Sequence, residues 1–497
     1  MLFPTWTFLF FLVVVVGARW LLSRRTRRQP GSARPCAGGD ELVRAWLLFA
    51  SYVFYLSWGP LYGVLLAGVT VATWAVGRQV GDTSRAQPIR KRWLVAGVVV
   101  NLGLLAFFKY AQFAVDQVHL LIAPTGEPPP ALGIVLPLGV SFFTFHAVSY
   151  LVDSYRGGEV ERSLSTFALY FVFFPHLIAG PIVRARELVP QLHARPRFDP
   201  AQFADGIDLI LRGLVKKMVI ADRLAEHSDK VFADPHLYGT GTTWLAMLCY
   251  AGQIYGDFSG YTDIARGASK LMGYEIPENF RLPYLAGSIT EFWRRWHMTL
   301  SRWLRDYLYI ALGGNRHGEA RRNLNLFLTM GLGGLWHGAG WTFVLWGVFH
   351  GLLLVLHKLW VTVTAPLMDR ARTPASRPLR QNFAWRIFAT VATFCLVALG
   401  WVLFRAPDLD TALVVYDRLL PGAKSLTPVT GLAVYWAVLL VLLASQLIGA
   451  WKDGKWLWRW LGEAPERAWV RGLVWLLAIA ACFFFAGKPA EFIYFAF

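Results

Sequence analysis

The sequence has 497 residues, of which 56% are hydrophobic and only 16% are charged. This composition excludes an ordinary soluble domain and favours a protein surrounded mostly by lipid. The formal net charge of +18 would suit a nucleic-acid-binding protein, but the basic residues lie in loops between apolar runs. Membrane topology and anionic headgroups explain that arrangement more simply, so no nucleic-acid binding is expected.

Long apolar runs, taken in chain order, predict an all-α polytopic membrane protein. A helix needs about 20 apolar residues to cross a bilayer. From the lengths of the runs we expect roughly ten to thirteen crossings or re-entrant pieces. The runs lie at residues 7–16, 42–56, 61–76, 93–108, 132–152, 325–345, 388–404, 434–448 and 473–485.

The loops between these runs predict a single membrane domain. None is long enough to separate soluble domains, so residues 1–497 are expected to fold as one unit. Within it, residues 1–130 carry N-terminal spans, residues 131–360 form a central core, and residues 361–497 carry C-terminal spans.

The basic loops predict an orientation in the membrane. The run at 7–16 is followed by charge and lacks a small-x-small cleavage pattern, so we expect a retained span rather than a secretory signal. The positive-inside rule places the basic cluster at 24–28 in the cytoplasm and the N-terminus outside. Two spans later the basic cluster at 85–92 returns to the cytoplasm, and the next loop, 116–130, has no Lys or Arg. Three loops thus agree on one orientation.

Neither the cysteines nor the histidines have the spacing of a metal site. His297 and His317 lie loosely around a Gly-Gly pair, but no zinc motif fits that spacing. The cysteines include no C-x-x-C pair, so we expect neither a disulfide framework nor a bound metal. They are Cys36, Cys249, Cys395 and Cys482.

Residues 250–351 differ from the rest because aromatic and charged residues are mixed there. A charged side chain facing lipid costs several kcal/mol, so these residues must pair, line a wet cavity or lie at the interface. Residues 290–309 combine apolar and basic faces, and Ser288 and Thr290 are possible N-caps. This pattern predicts one helix lying in the cytoplasmic interface.

Two histidines in this region are candidates for chemistry. His297 lies in W-R-R-W-H, and His337 lies in G-G-L-W-H-G-A-G, where the glycines permit close approach of a substrate or a neighbouring backbone. A neutral, buried imidazole can accept a proton from a hydroxyl that attacks a thioester. The alternative is that His337 only hydrogen-bonds a neighbouring helix, and that His297 only contacts lipid headgroups.

Several motifs in one order resemble the membrane-bound O-acyltransferase family, and the resemblance covers nearly the whole chain. Within that family the likeness is greatest to members that O-acetylate alginate. The motifs are F-F-P-H-L-I-A-G-P-I-V-R (173–184), Y-G-D-F-S-G-Y-T-D-I-A-R-G (255–267), W-R-R-W-H (293–297), R-D-Y-L-Y-I-A-L-G-G-N-R (305–316) and L-W-H-G-A (335–339).

The resemblance implies a ring of tilted helices around a central funnel or tunnel, with both histidines near its narrow middle. His337 matches the family's invariant histidine and is the implied general base, while His297 orients substrate or shares in proton transfer. Further candidates for binding substrate or donor are Asp257, Asp263, Arg294, Arg295 and Trp336. Structural ion pairing is an equally open reading for the charged members of this set.

The resemblance also implies the donor, the location and the partners. The donor is expected to be acetyl-CoA acting as a substrate, with no resident cofactor, since the sequence contains no P-loop or dinucleotide-binding fingerprint. A pantetheine arm can enter a tunnel while its charged nucleotide stays in water. The location is the bacterial inner membrane with a periplasmic N-terminus. The expected partners are periplasmic acetyltransferases and a polysaccharide.

Three other functions remain open at this point. One is D-alanyl transfer to teichoic acid, which uses the same two histidines. Another is acetylation of peptidoglycan. The third is a non-catalytic pore or scaffold that conducts an acyl carrier or holds a separate periplasmic acetyltransferase.

Overall fold

The computed structural model describes residues 3–25, 37–123, 127, 129–194, 196–370, 382–450, 468–490 and 492–493. All regular secondary structure in these ranges is helical, which confirms the predicted all-α class. Two π-helical turns, Val215–Ala221 and Leu304–Tyr309, and two 3₁₀ turns, Pro235–Leu237 and Pro283–Leu285, accompany the α-helices. The α-helices are α1 (Trp6–Arg25), α2 (Ala37–Leu56), α3 (Pro60–Gly81), α4 (Gln87–Ile122), α5 (Val140–Tyr155), α6 (Leu164–Val172), α7 (Phe174–Leu177), α8 (Ala185–His193), α9 (Pro200–Leu214), α10 (Asp222–Ala233), α11 (Thr240–Leu271), α12 (Ile289–Arg295), α13 (Met298–Trp303), α14 (Gly318–His337), α15 (Trp341–Arg370), α16 (Phe383–Arg405), α17 (Leu409–Leu419), α18 (Leu432–Ala450) and α19 (Ala468–Phe484).

Six helices in the described part of the chain are long and apolar enough to cross a membrane: α1, α3, α4, α15, α16 and α18. Their outer faces carry large apolar side chains, such as Phe10, Val64 and Leu121, that are 73%, 71% and 83% exposed. Such apolar surface is typical of helices that face lipid. The chain is therefore a multi-pass membrane protein. The remaining helices are shorter or more polar. The number of crossings or re-entrant pieces expected from the sequence, roughly ten to thirteen, therefore stays a prediction.

The chain forms two compact units. The first comprises Met1–Leu214 and Tyr261–Pro277, and the second comprises Val215–Gly260 and Glu278–Phe497. In the first unit α2 packs against α1 and α6, and α5 packs against α3 and α4. In the second unit α14 and α15 form a tightly packed hairpin, and α15 also contacts α12 and α16. The predicted division of one membrane domain at residues 130 and 360 stays a prediction.

The prediction of a single helix over residues 290–309 is wrong. Ser288 does cap a helix, because its Oγ accepts a hydrogen bond from the backbone N–H of Glu291 at 3.2 Å, but that helix ends at Arg295. Thr290 lies inside α12 rather than at its cap. The helical conformation is interrupted at Trp296 and His297 before α13 begins. The mixed apolar and basic pattern therefore belongs to two short helices and a π-helical turn.

Two apolar runs are also shorter as helices than the sequence indicates. In the run at 132–152 the helix begins only at Val140, after Gly139 takes a left-handed conformation (φ 75°). In the run at 325–345, α14 ends at His337 because Gly338 is extended. Hydropathy does not detect such breaks, since glycine and its neighbours there remain apolar.

Candidate active site

Close packing between α14 and α15 determines where His337 lies. Gly334 is a contact point: a Cβ placed there would lie 2.3 Å from the backbone oxygen of Phe343 and 2.9 Å from Cα of Gly347. Gly347 is equally constrained, since its Cβ would lie 2.4 Å from the backbone oxygen of Met330. Only glycine fits at both positions because the two backbones touch. The hairpin therefore presents His337, at the end of α14, to side chains of α15.

His337 is buried among aromatic rings. Its own ring centroid lies 4.9 Å from that of Trp336, 5.0 Å from Trp346 and 5.1 Å from Phe404. The chain turns away directly after it, and a Cβ on Gly338 would lie 2.1 Å from a neighbouring phenylalanine ring. The glycine that follows His337 thus allows the aromatic rings to close around it.

His297 occupies the break between α12 and α13. Its backbone is left-handed (φ 40°, ψ 54°), a conformation that is uncommon for residues with a Cβ and persists only where the surroundings hold it. The ring is fully buried, 4.6 Å from Phe258 and 6.4 Å from Phe280. Burial lowers the pKa of the His297 imidazole to about 3, so the ring is neutral at physiological pH.

Asn279 anchors the chain on the far side of this break. Its backbone oxygen accepts a hydrogen bond from the N–H of Met298 at 2.9 Å. Its Oδ1 accepts from both the N–H and the Oγ1–H of Thr299, at 3.2 and 2.9 Å. Sequence reasoning missed Asn279, although it stands as an amide in the aromatic block E-N-F-R-L-P-Y. Its hydrogen bonds hold Met298 and Thr299, which follow directly after the left-handed turn of His297.

Replacing Asn279 with Leu is expected to destabilise the protein by about 1–3 kcal/mol, because two buried donors of Thr299 lose their acceptor. Acyl transfer should fall with it, since the His297 turn loses its anchor. Thermal unfolding in detergent and initial rates measure the two effects. Asn323→Leu, a partly exposed asparagine on α14, is the matched control and should behave as wild type. Equal melting temperatures for both variants would contradict this anchoring role.

Trp336 contacts both histidines. Its indole lies 6.5 Å from the ring of His297 and 4.9 Å from the ring of His337, measured between centroids. Three residues selected from sequence, two of them as catalytic and one as substrate-binding, are therefore neighbours in the fold. Their individual roles stay predictions.

His350 is a third buried histidine near this group that sequence reasoning missed. Its ring lies 4.8 Å from Trp346, which also contacts His337, and 5.2 Å from Trp293. The side chain is fully buried, and within the described ranges neither ring nitrogen has a hydrogen-bond partner. A histidine within an apolar span was the available signal, because polar groups in spans often mark functional positions.

Asp257 belongs to a buried ion cluster in the second unit. Lys217 Nζ lies 2.9 Å from Asp257 Oδ1 and 2.8 Å from Asp222 Oδ1. The three side chains are 8%, 3% and 6% exposed, respectively. This geometry favours the structural ion-pair reading that the sequence left open for Asp257.

The other charged candidates are placed differently. Asp263 lies in the first unit, where its two carboxylate oxygens accept from Nε and Nη2 of Arg212 at 2.9 and 3.0 Å. Arg295 pairs with Glu291 one turn earlier on α12. Arg294 is exposed at the end of the same helix. Asp263 and Arg295 thus form ion pairs, and the substrate- or donor-binding roles of Asp263, Arg294 and Arg295 stay predictions.

The described residues form a helical membrane protein that packs two histidines against one buried tryptophan. Among the described residues, no group of three or more His, Cys, Asp or Glu side chains is placed to hold a metal ion. The family model described as MBOAT, membrane-bound O-acyltransferase family, matches residues 139–399, which include both histidines. The chain belongs to the membrane-bound O-acyltransferase family and is an O-acyltransferase, as its motifs predict.

Three relatives illustrate the range of similarity. A protein named probable alginate O-acetylase AlgI from Pseudomonas aeruginosa is 44% identical over 77% of this chain and 70% of its own length. A peptidoglycan O-acetyltransferase from Helicobacter pylori is 38% identical over 75% of this chain and 72% of its own length. A teichoic acid D-alanyltransferase from Bacillus subtilis is more distant, at 30% identity over 56% of this chain and 71% of its own length.

Proposed function

We propose that this enzyme transfers an acetyl group from a cytoplasmic thioester donor, acetyl-CoA, toward a hydroxyl of an extracytoplasmic polysaccharide of the alginate kind. The observation that carries the proposal is that His297 and His337 pack against the same indole, Trp336. The chain also has a relative named for alginate O-acetylation at 44% identity. The proposed location is the bacterial inner membrane, with the N-terminus in the periplasm.

The chemistry assigned to His337 is general base catalysis. A ring nitrogen of the neutral imidazole accepts the proton of the attacking hydroxyl while the hydroxyl oxygen forms a bond to the thioester carbonyl carbon. The carbon–sulfur bond then breaks, and the leaving thiolate takes the proton back from the imidazolium. His297, neutral and held at the helix break, orients the reacting groups.

We assign the phosphates of the donor to two arginines beside the Gly-Gly loop that follows the second π-helical turn. A shallow cavity of about 340 Å³ is lined by Arg305, Arg316 and this loop. Gly313 and Gly314 both have positive φ, 108° and 55°, which lets the loop turn sharply. Guanidinium groups bind phosphate oxygens by charge-assisted hydrogen bonds.

Replacing both Arg305 and Arg316 with Gln is expected to raise the KM for acetyl-CoA about tenfold, a loss of roughly 1.4 kcal/mol in binding, with little change in kcat. The measurement is initial-rate kinetics with purified protein in vesicles. Acetyl-pantetheine, which lacks the nucleotide phosphates, should show the same KM with wild type and variant. Arg321→Gln, an exposed arginine on α14 outside the cavity, is the control. A KM that rises equally for both donors would contradict phosphate binding here.

The proposal predicts which donor and acceptor the purified protein will use. Vesicles containing the protein receive acetyl-labelled CoA outside and short mannuronate oligomers inside, and labelled ester on the oligomers is measured. Transfer across the vesicle wall supports the proposal. Use of D-alanyl carrier protein instead favours the teichoic acid reading, and acetylation of peptidoglycan fragments alone favours the cell-wall reading. If acetyl groups reach the oligomers only when a separate acetyltransferase is added, the pore or scaffold reading is favoured. The acetyltransferase that restores transfer would then be the proposed periplasmic partner.

A further inference from the structure

A segment after α19, residues 485–490 and 492–493, lies against the start of α10 and is here named the latch segment. The N–H of Gly487 donates to the backbone oxygen of Met218 at 2.8 Å, and the N–H of Lys488 donates to Glu226 at 3.0 Å. Arg223 donates to the backbone oxygen of Ala486 at 2.9 Å. A Cβ on Gly487 would lie 2.4 Å from the backbone nitrogen of Arg223. The latch segment is therefore held along its backbone at close range.

The buried ion cluster of Lys217, Asp222 and Asp257 is completed by the latch segment. The ammonium group of Lys217 forms ion pairs with both carboxylates. It also donates a hydrogen bond to the backbone oxygen of Ala490, 2.9 Å away. Asp257 in turn accepts the N–H of Ile493 at 2.8 Å. Buried charges need pairing and hydrogen bonds, and the latch segment supplies two hydrogen bonds to this cluster.

Phe258 connects this cluster to His297. It follows Asp257 on α11, and its ring is 4.6 Å from His297 and nearly perpendicular to it, at 83°. On another side it meets Phe492 of the latch segment, with 6.2 Å between ring centroids. Phe492 is 3% exposed. The ring of Phe258 therefore contacts both the latch segment and the histidine.

We propose that the latch segment is a positioning element of the acyl-transfer site: Phe492 supports Phe258, and Phe258 fixes the orientation of the His297 ring. The ion cluster anchors the segment, because Asp257 accepts a hydrogen bond from the backbone N–H of Ile493, next to Phe492. Phe258, the residue after Asp257, makes the ring contacts with Phe492 and His297. This inference rests on the proposed function through the role of His297. It assigns Asp257 to site geometry rather than to donor binding.

The test compares Phe492→Ala with two other substitutions. Phe492→Ala is expected to lower kcat about ten- to a hundredfold with KM unchanged, the scale of effect that small misplacements of catalytic groups produce. Phe492→Leu, which refills most of the space, should recover most of that rate. Lys488→Ala is the matched control. The Lys488 side chain is exposed, and the hydrogen bond of Lys488 to Glu226 comes from its backbone N–H, which alanine keeps. Wild-type kcat in Phe492→Ala overturns the proposal.

A double variant separates positioning from general damage to the fold. In a His297→Ala background, Phe492→Ala should cause no further loss of rate, because the group it positions is absent. Losses that multiply indicate independent structural damage and overturn the proposal.

A chemical measurement distinguishes failure of this inference from failure of the proposed function. Diethyl pyrocarbonate modifies accessible imidazoles, and the site of modification is read by peptide mass spectrometry. His297 is fully buried and should react slowly in wild type and Lys488→Ala, but faster in Phe492→Ala. Unchanged reactivity overturns the latch proposal even if the enzyme proves to use another acyl donor.

Discussion

A His337→Gln variant is expected to accumulate in the membrane at normal level and to lose acyl transfer by about 10²- to 10⁴-fold, the range that positioned general bases contribute. Glutamine preserves the size and polarity of the side chain but cannot accept the proton of the attacking hydroxyl. The measurement is the acetyl ester content of surface polysaccharide in cells that lack the protein and carry each variant. Initial rates with the purified protein give the magnitude.

The control for this substitution is His357→Gln, a histidine on α15 whose Nδ1 contacts Thr290 Oγ1 at 3.0 Å. It should support wild-type acetylation, with both variants checked by blot and by melting temperature. If His337→Gln restores acetylation, His337 is not the general base, and the pore or scaffold reading is favoured. Loss in both variants at normal protein level would show that the assay reports helix packing instead of chemistry.

Gly334→Ala is expected to have the largest effect on the fold. The added methyl would lie 2.3 Å from the backbone oxygen of Phe343, so α14 and α15 must separate. Overpacking costs about 1–3 kcal/mol and more where backbone must move. Because His337 and Trp346 meet across this contact, we expect a lower melting temperature together with loss of transfer activity.

Gly331→Ala is the matched control for this prediction. It changes the same residue type on the same helix, but a Cβ there has nothing within 4 Å. Alanine also favours helix over glycine by about 1 kcal/mol, so this variant should melt at or above the wild-type temperature. If the two variants melt alike, the glycine contact between α14 and α15 is not what holds the hairpin together.

Two properties of this protein could be predicted from sequence because they depend on local pattern. Apolar runs near bilayer length indicated helices, since a lipid-embedded backbone must satisfy its own hydrogen bonds. The histidine motifs selected His297 and His337, and the motif blocks in order indicated the acyltransferase family. Those predictions needed only residue types and their order along the chain.

The bend at His297 and its anchor depended on contacts that sequence does not encode locally. Asn279 precedes His297 by a whole helix, so its hydrogen bonds to Thr299 appear only when the chain folds back. His350 likewise joined the site because the glycine contact between α14 and α15 brings Trp346 between it and His337.

The sequence by itself determined that this is a helical membrane acyltransferase with two candidate histidines. Tertiary structure alone decided which charged residues pair, because partners such as Lys217 and Asp257 are far apart along the chain. It also decided that Trp336 reaches His297 and that Phe492 reaches Phe258. The physical reason is that helix propensity and hydropathy act over a few turns, whereas ion pairs and ring contacts form between distant segments once close backbone packing has brought them together.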